Sequence, residues 1–501
     1  MVKLACNYHE NLQLEGLTLP ANSPGYARTL HQALDEIPKA QKLQHIANDG
    51  SEWEISSKQV KEAIHIAKKG SATRIDGCPY ELWKTLAARF EEAKSEEKEG
   101  FDIIETLTSI FIDISRHGVD EKAGFTSRWM CPIFKKKDPT EISNYRPITL
   151  LNTDYKLLTK VLTIQLMTPI HSLIHPDQAG FIPKRSIFNH IRLAQAIINY
   201  TEVMEENGAI VALDQEKVYD KIRHNYLWAA LETFGLPTHF IKTVKVLYQN
   251  AHTQVAINGI LSKPFKVTRR VHQGDPLSCP LFDLAIEPLA CKLRNDPEVH
   301  GLTIPGLDEK LVINLFADDM TLYLSDKDRF DTIEPKLRAW CEASGAKFNI
   351  EKTEIIPLGT LTHRNTVITM RKINQQDQTQ LDQRIHIAKE GEAVRLLGAW
   401  IGNHAADLTP WEIMLDKMRK KLEIWGRYNP TLYSKCLIIQ AIIGGHTQFL
   451  ATTQGMPTHI EMALEEMIRN FIWTQDMLFL VFLFIYDCTM LQVEFPILVV
   501  A

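Results

Sequence analysis

Two aspartates stand side by side in the sequence Phe316-Ala317-Asp318-Asp319, and short apolar runs flank them on both sides. Residues 312–315 and 320–324 are rich in β-branched and aromatic side chains, which predicts two strands joined by a tight turn. Adjacent ionised carboxylates repel each other and raise each other's pKa unless a cation neutralises them. Mg²⁺, which prefers oxygen ligands, would fit such a pair. Asp-Asp is also a common polar turn, so the pair alone leaves both interpretations open.

A third acid, Asp214, follows the apolar run 209–213, which is typical of a buried strand that ends at the aspartate. Three acids at strand ends form a plausible metal site, whereas the alternative role for Asp214 is that of a helix N-cap. The chain then predicts a helix over residues 224–234. Further along, Gly274 and Pro276 indicate a loop, and Ser278 is expected to cap an apolar helix over residues 281–293.

Six segments together resemble the motifs of one enzyme family. Residues 214–220, 273–282 and 316–319 are similar, in order and spacing, to the palm motifs of reverse transcriptases. Residues 132–138, 144–152 and 177–181 resemble the fingers motifs of the non-LTR, LINE-type retrotransposon branch, and the resemblance extends over about residues 56–475. Composition and periodicity alone would indicate only a mixed α and β enzyme with a metal site.

The resemblance implies an α+β fold, the right-hand polymerase with fingers, a palm built on an antiparallel sheet and a helical thumb. A chain of 501 residues is longer than one usual core, which agrees with several lobes. The expected division is an N-terminal extension or linker remnant at 1–55, fingers at 56–205, palm at 206–403, thumb at 404–475 and an apolar tail at 476–501.

Three local patterns support that division. A capping signal at Ser56 to Gln59 precedes the apolar positions of a helix. Residues 75–205 are expected to alternate helices with a basic loop around Lys135. Residues 347–352 and 397–402 resemble the last two palm motifs, and residues 408–473 show the amphipathic helical pattern of a thumb.

The implied reaction is RNA-directed DNA synthesis, in which a primer 3′-hydroxyl attacks the α-phosphate of a dNTP. Two Mg²⁺ ions about 3.5–4 Å apart, for which Mn²⁺ is a substitute, would activate the attacking oxygen and stabilise the leaving one. The resemblance assigns the catalytic and metal-binding roles to Asp214, Asp318 and Asp319, and a backbone carbonyl ligand to Gln215.

Six further residues are the expected substrate contacts. The resemblance places Tyr219 under the sugar, where its ring would exclude a 2′-hydroxyl; the alternative is an ordinary core tyrosine. Guanidinium and ammonium groups bind phosphate strongly. The expected contacts are Lys135 and Arg146 for the triphosphate, Gln273 and Gly274 for the nascent base pair, and Lys352 as a proton donor to pyrophosphate. A surface role remains open for Arg146 and Lys352.

The formal net charge of −5 is not that of a typical nucleic-acid binder, yet basic residues cluster locally. The expected duplex-binding residues of the thumb are Lys417, Arg419, Lys420 and Lys421, and the alternative is a solvated helix face. The implied partners are an RNA template, a DNA primer and dNTPs. Retrotransposition would also need an endonuclease in trans, because no endonuclease motif is recognisable in residues 1–55.

Five positions depart from the family pattern. Arginine replaces the usual glycine at Arg74 and Arg270, and the others are Val218, Asn189 and His272, the last where arginine is usual. If the glycine at 270 serves a positive φ, Arg270 would be strained, and His272 would keep only a partial charge at neutral pH. These changes suggest a decaying element copy with intact acids and weakened substrate contacts.

The remaining features bear on location. Residues 477–486 are apolar but too few to span a bilayer; the interpretation of this tail is out-of-frame or intronic sequence. The eight cysteines form no Cys-x-x-Cys pair, and the N-terminus lacks the apolar core of a secretory signal. An intracellular protein, nuclear or cytoplasmic and not bound to a membrane, is expected.

Two competing functions remain. One is a non-catalytic protein that binds nucleic acid through an inherited polymerase fold, which the changes at 270–272 favour and the intact acids oppose. The other is an RNA-dependent RNA polymerase or an intron maturase, which would share the metal-binding acids. Tyr219 argues against an RNA product, and residues 144–152 favour the retrotransposon branch over a maturase.

Overall fold

The computed structural model describes residues 1–17, 19–20, 23–43, 53–71, 76–120, 123–249, 251–306, 309–405 and 408–473. The chain forms two compact units. The first comprises Met1–Ser186, Asn207–Pro357 and Asn365–Ile387, and the second comprises Ile187–Glu206, Leu358–Arg364 and the chain from Ala388 onward. The division into fingers, palm and thumb at the boundaries given above stays a prediction.

The helices and strands follow one another along both units. The helices are α1 (Val2–Leu12), α2 (Pro24–Leu34), α3 (Ser57–Ile66), α4 (Tyr80–Ser95), α5 (Ile103–His117), α6 (Thr153–Met167), α7 (Ile170–Leu173), α8 (Ile187–Val203), α9 (Val218–Lys221), α10 (His224–Thr233), α11 (Thr238–Tyr248), α12 (Ser278–Asn295), α13 (Phe330–Ser344), α14 (Leu361–Met370), α15 (Leu408–Gly426), α16 (Leu432–Ile439), α17 (Gly445–Gln454) and α18 (Thr458–Ile472). The strands are β1 (Arg128–Phe134), β2 (Tyr145–Leu151), β3 (Gly208–Gln215), β4 (His252–Ile257), β5 (Ile260–Leu261), β6 (Phe265–Lys266), β7 (Ile313–Phe316), β8 (Asp319–Ser325), β9 (Phe348–Leu358), β10 (His386–Ile387), β11 (Val394–Leu396) and β12 (Ala399–Ile401).

The sheet that carries the aspartates has the strand order β10-β9-β3-β8-β7. Strand β8 pairs in antiparallel register with β3 on one side and with β7 on the other, while β10 and β9 run parallel. Strand β3 is buried along most of its length, since it lies inside the sheet. The predicted strands around 209–213, 312–315 and 320–324 are confirmed, and so is the mixed α and β fold of a polymerase.

A second sheet has the order β2-β1-β4-β5, with β6 paired to β4. The expectation of helices and a basic loop over residues 75–205 is partly wrong, because β1 and β2 form an antiparallel hairpin around Lys135. Pro132 and Pro147 face each other in this hairpin. Proline cannot donate to a strand ladder, so a proline within each run weakens the strand signal in the sequence.

Two helices occupy the N-terminal stretch that was expected to be a linker remnant. Ala5 and Cys6 on α1 pack against Met130, Val255 and Phe265 in a small core of the first unit. Helix α2 packs on α13 and α12. The weak periodicity of residues 1–43 did not predict these helices, since fewer than half of their side chains are buried and the buried apolar stripes are short.

Helix starts agree with the capping signals in one case and not in another. Ser56 and Gln59 form the expected capping box at the start of α3, with Val60, Ala63 and Ile64 buried. The expected cap at Ser278 is wrong, because α12 begins at Ser278 itself with Leu277 as N-cap. Asp275 instead accepts a hydrogen bond from the Leu277 amide at 3.1 Å.

The second unit is mainly helical, as residues 408–473 predicted. Its core contains Trp411, Leu415, Met418 and Leu422 of α15, with side chains of α16, α17 and α18 packed around them. The β11–β12 hairpin turns through Leu397 and Gly398, both with positive φ. Residues 474–501, and with them the apolar tail, lie outside the described residues, as does Arg74.

Among the described residues, no helix is both long and apolar enough to cross a membrane. All seven cysteines in the described part of the chain are free thiols.

Candidate active site

Three aspartates meet at one end of the β3–β8–β7 sheet. The register pairs Leu213 with Met320, so the next step along both strands sets Asp214 beside Asp319. Phe316 pairs with Asp319 to close the β7–β8 hairpin, and Ala317 and Asp318 form its turn. Sequence reasoning expected this meeting, and the strand register brings it about.

Gln178 holds the turn that carries Asp318. Its Oε1 accepts hydrogen bonds from the amides of Ala317 at 2.9 Å and Gly180 at 2.8 Å, and its side chain is fully buried. A Cβ on Gly180 would lie 2.1 Å from the Ala317 nitrogen, so only glycine fits there. Sequence reasoning grouped residues 177–181 as a motif but gave neither residue a role; the Gln-x-Gly spacing before the Asp-Asp hairpin was the available signal.

The electrostatics of the acids favour binding of a cation. Desolvation raises the pKa of Asp318, and the charge of Asp214 raises it further. Asp319 lies at the surface, but desolvation by its neighbours, followed by the charges of Asp318 and Asp214, raises its pKa to about 6. The charge of Asp214 therefore disfavours ionisation of both Asp318 and Asp319, and a divalent cation would reverse this effect.

Basic side chains surround the three acids. Lys352 on β9 donates from Nζ to Asp214 Oδ2 at 2.8 Å. Burial lowers the pKa of Lys135, and the charges of Arg146 and Lys352 lower it further, which puts these three cations close together. The β1–β2 hairpin accounts for this, because Arg146 pairs with Ile133 and the Lys135 amide bonds to the Asn144 carbonyl at 3.0 Å.

The donor atoms of this site suit a hard cation, since all are carboxylate or carbonyl oxygens. The Gln215 side chain adds rigidity by donating to the Asp318 carbonyl at 3.2 Å. Within the described parts of the chain, no three His, Cys, Asp or Glu side chains are gathered closely enough to enclose a metal ion. The nearest cation to Asp214 is the ammonium of Lys352, which is bonded to one of the two carboxylate oxygens.

Tyr219 lies half buried on α9, near the acids. Its ring centroid is 5.1 Å from that of Phe282. Burial raises the pKa of its hydroxyl, with smaller contributions from Cys279 and Asp318, so the hydroxyl stays protonated. The carbonyl of Tyr219 accepts a hydrogen bond from the Val271 amide at 2.8 Å, which ties α9 to the following loop.

Gln273 and Gly274 belong to that loop and contact β2. The Gln273 carbonyl accepts a hydrogen bond from the Thr149 amide at 2.9 Å. Gly274 has φ 111°, and a Cβ at this position would lie 2.8 Å from the Thr149 carbonyl oxygen. Any larger residue would therefore push the loop away from the β1–β2 hairpin.

Arg270 adopts φ 109°, so the expected backbone strain at this position is confirmed. Its side chain is 5% exposed. One guanidinium nitrogen donates to Thr149 Oγ1 at 2.7 Å, and another lies 3.7 Å from Asp220 Oδ1. The arginine that replaces glycine is thus accommodated inside the unit, between α9 and β2.

His272 is completely buried, and the expectation that it keeps a partial positive charge is wrong. Its ring stacks on Tyr248 at 4.6 Å and contacts the Arg128 guanidinium. Burial, followed by the charges of Arg128 and Arg270, lowers its pKa well below the usual value, so the ring is neutral rather than partly charged. Of the other departures, Asn189 is exposed on α8, Val218 belongs to α9, and the Val218 side chain is outside the described part of the structure.

The basic residues that were expected to bind a duplex lie on α15. Lys417, Arg419, Lys420 and Lys421 are all exposed, and they are distributed around the part of the helix surface that does not face the core. Lys420 pairs with Asp416 at 2.7 Å, and Lys421 contacts His446 at 2.9 Å.

The residues of this site lie within a stretch of the chain that matches a known family. Residues 134–399 match the family described as reverse transcriptase (RNA-dependent DNA polymerase). The chain is 34% identical over 227 residues to the Transposon TX1 uncharacterized 149 kDa protein of Xenopus laevis, which covers 45% of this chain and 17% of that protein.

Two further relatives come from insects. A Retrovirus-related Pol polyprotein from type-1 retrotransposable element R2 of Popillia japonica is 29% identical over 195 residues, 39% of this chain and 27% of that protein. The RNA-directed DNA polymerase from mobile element jockey of Drosophila melanogaster is 22% identical over 228 residues, 43% of this chain and 24% of that protein. The matched stretch thus spans about a quarter or less of these relatives' own length.

Proposed function

This chain belongs to the reverse transcriptase (RNA-dependent DNA polymerase) family, and on that basis we propose that it is the RNA-directed DNA polymerase of a non-LTR retrotransposon. It would extend a DNA primer from dNTPs along an RNA template. The observation that carries the proposal is that Asp214, Asp318 and Asp319 meet at one end of the sheet, next to a cluster of basic side chains. Burial raises the pKa of Asp318 and Asp319, with a contribution from the charge of Asp214, and such acids suit a site for a divalent metal.

Asp214, Asp318, Asp319 and the Gln215 backbone carbonyl would hold Mg²⁺, or Mn²⁺ in its place. When bound, two such ions supply Lewis-acid stabilisation of the attacking and leaving oxygens. The Lys352 ammonium bonds to Asp214 and neutralises part of the charge of the acids. It would donate a proton towards the leaving pyrophosphate.

The other side chains orient the substrates. Lys135 and Arg146 would bind the triphosphate oxygens, because charged donors form short, strong hydrogen bonds to phosphate. The Tyr219 ring would lie under the sugar and exclude a 2′-hydroxyl. Gln273 and Gly274 would contact the nascent base pair through a backbone that approaches β2 closely.

On the second unit, Lys417, Arg419, Lys420 and Lys421 would contact phosphates of the template–primer duplex. Their exposure to solvent supports this role. Insertion of the product into DNA would require an endonuclease.

A second candidate function is nucleic-acid binding without catalysis. The observation that favours it is Arg270, which combines a strained backbone with a buried charge next to the loop of Gln273 and Gly274. The intact acids favour the polymerase instead.

Extension of oligo(dT) on poly(rA) with Mg²⁺ distinguishes the two functions. We expect incorporation of dTTP, its loss in Asp318→Asn, and discrimination against UTP that falls in Tyr219→Ala. Asp326→Asn is the matched control, because Asp326 is an exposed aspartate just beyond the far end of β8. Absence of incorporation by a protein that still binds the RNA–DNA duplex would favour the second candidate.

A further inference from the structure

The N-terminal residues contact two loops, one that contains Tyr219 and one that bonds to it. These loops are residues 216–223, which include α9, and residues 266–274, which include Arg270 and Gly274. They are linked to each other, because the Val271 amide bonds to the Tyr219 carbonyl at 2.8 Å. Contacts from residues 8–19 reach both of them.

The first set of contacts is electrostatic. Lys221 is only 2% exposed, and its ammonium lies 3.0 Å from Glu216 and 3.6 Å from Glu15. Lys347 contacts the same two carboxylates, at 3.0 Å from Glu216 and 3.9 Å from Glu15. With Glu15 present the four charges balance; without it, a buried ammonium shares one carboxylate with a second cation, which is unfavourable at low dielectric.

The second set consists of hydrogen bonds to the 266–274 loop. Gln13 accepts from the Thr268 amide at 2.6 Å and donates to the Lys266 carbonyl at 3.0 Å. Arg269, which is 2% exposed, donates to the carbonyls of Leu12 and Glu15. Because the side chains of Gln13 and Arg269 are both buried, these bonds fix the end of α1 against the loop.

The third contact reaches the residue before α9. The Lys217 ammonium lies 4.6 Å from the centre of the Tyr8 ring and bonds to the Tyr8 hydroxyl. Lys217 has φ 47°, an unfavourable conformation for a side chain that is not glycine. The hydrogen bond from the Lys217 ammonium to the Tyr8 hydroxyl therefore helps to hold a left-handed residue two positions before Tyr219.

We propose that residues 8–19 act as a positioning segment for the nucleotide-selecting loop, with Tyr8, Gln13 and Glu15 as positioning residues that set the place of Tyr219. The inference rests on the proposed function of Tyr219 as the sugar contact. It assigns a part in nucleotide selection to a stretch whose sequence resembles a linker. No residue of this segment touches the substrate in the proposal; Tyr8 acts through Lys217, Glu15 through Lys221, and Gln13 through the backbone of the 266–274 loop.

The test compares Glu15→Gln with Glu10→Gln, the same change at an exposed glutamate on α1. Tyr8→Phe is a second variant, since it removes one hydroxyl and keeps the ring. Amide hydrogen exchange of residues 217–222 is the readout that needs no activity. We expect faster exchange in Glu15→Gln and Tyr8→Phe, unchanged exchange in Glu10→Gln, and partial rescue by Glu15→Asp.

Primer extension supplies the functional readout. Displacement of the Tyr219 loop should raise KM for dTTP and lower the dTTP-to-UTP preference by roughly tenfold, while kcat changes less. Unchanged exchange and an unchanged preference in both variants would overturn the proposal. If the parent protein shows no polymerase activity, the proposed function fails, and the exchange experiment alone still decides whether residues 8–19 hold the loop.

Discussion

Gln178 accepts a hydrogen bond from the amide of Ala317 at 2.9 Å, and this contact fixes the turn in which Asp318 stands. The same oxygen binds the Gly180 amide, so one buried side chain satisfies two backbone donors. The metal-binding geometry proposed for the acids therefore depends on Gln178, which is not itself a proposed ligand.

Replacing Gln178 by leucine should damage both stability and catalysis. Two buried amides would lose their acceptor, and each such loss costs about 1–3 kcal/mol. Displacement of Asp318 should lower kcat by roughly tenfold to a hundredfold. Urea unfolding and primer extension measure the two effects.

Gln178→Glu is the companion variant, since it keeps the acceptor oxygen and should retain much of the stability. Gln254→Leu is the control, because Gln254 bonds to Ser262 in the other sheet. Equal activity of Gln178→Leu and Gln254→Leu would contradict the role of Gln178.

The raised pKa of Asp319 predicts opposite pH effects on activity and on stability. With a folded-state pKa of about 6, against an ordinary value of 3.8, the carboxyl is protonated as pH falls through 6. Metal binding and activity should therefore decline below that pH. In the absence of metal, the folded protein binds more protons than the unfolded chain between these two values, so the contribution of Asp319 to stability is present at low pH and lost as pH rises through 6.

The difference between the parent protein and Asp319→Asn isolates this contribution. We expect Asp319→Asn in EDTA to be more stable relative to the parent at pH 7 than at pH 5, as measured by urea unfolding. Addition of Mg²⁺ should stabilise the parent at pH 7 and not the variant. A stability difference that is independent of pH would argue that Asp319 has an ordinary pKa.

The sequence predicted the acids and the helical character of the second unit better than it predicted their supports. Asp214, Asp318 and Asp319 were found because strand ends and a turn place them by local periodicity. Gln178 was not, since its contact with Ala317 spans a sequence separation of 139 residues and carries no local pattern. The β1–β2 hairpin was missed because Pro132 and Pro147 weaken its strand signal.

The contacts of the N-terminal residues show the same limit. The exposed side chains around Glu15 are typical of a polar linker, whereas Gln13 bonds to Thr268 and Arg269 bonds to Leu12, across 255 and 257 residues of chain. The strain at Arg270 was predicted from a departure in one motif, but the burial of His272 depends on Arg128 and Tyr248, which no motif includes.

The salt dependence of duplex affinity tests the role of the basic residues on α15. Each phosphate contact contributes about −0.9 to the slope of log affinity against log salt. The double variant Lys417→Gln, Arg419→Gln should therefore make the slope for an RNA–DNA duplex less negative by about 2. Lys420→Gln should change it less, because Asp416 already holds that ammonium.

Duplex affinity measured across a series of KCl concentrations gives these slopes. Lys98→Gln serves as the control, since Lys98 is an exposed lysine of the first unit paired with Glu96. If the slope of the double variant stays at the parent value, Lys417 and Arg419 do not contact the duplex and belong to a solvated helix face.

Arg270 and His272 should respond to reversion as a coupled pair. Arg270→Gly relieves a strained φ, a cost of order 1–3 kcal/mol, but also leaves Asp220 without its guanidinium partner. His272→Arg alone would add a third guanidinium beside Arg128 and Arg270, which burial makes unfavourable. In the double variant, the side chain at 272 gains the space and the acidic partner that Arg270 vacates.

We therefore expect His272→Arg to lower stability and polymerase activity, and the double variant to exceed the parent in activity. A double-mutant cycle should give a favourable interaction of about 1–3 kcal/mol between the two reversions. Unfolding free energies and dTTP incorporation measured on all four proteins complete the cycle. Additive effects, or no gain of activity in the double variant, would contradict the hypothesis that these two substitutions weakened the enzyme together.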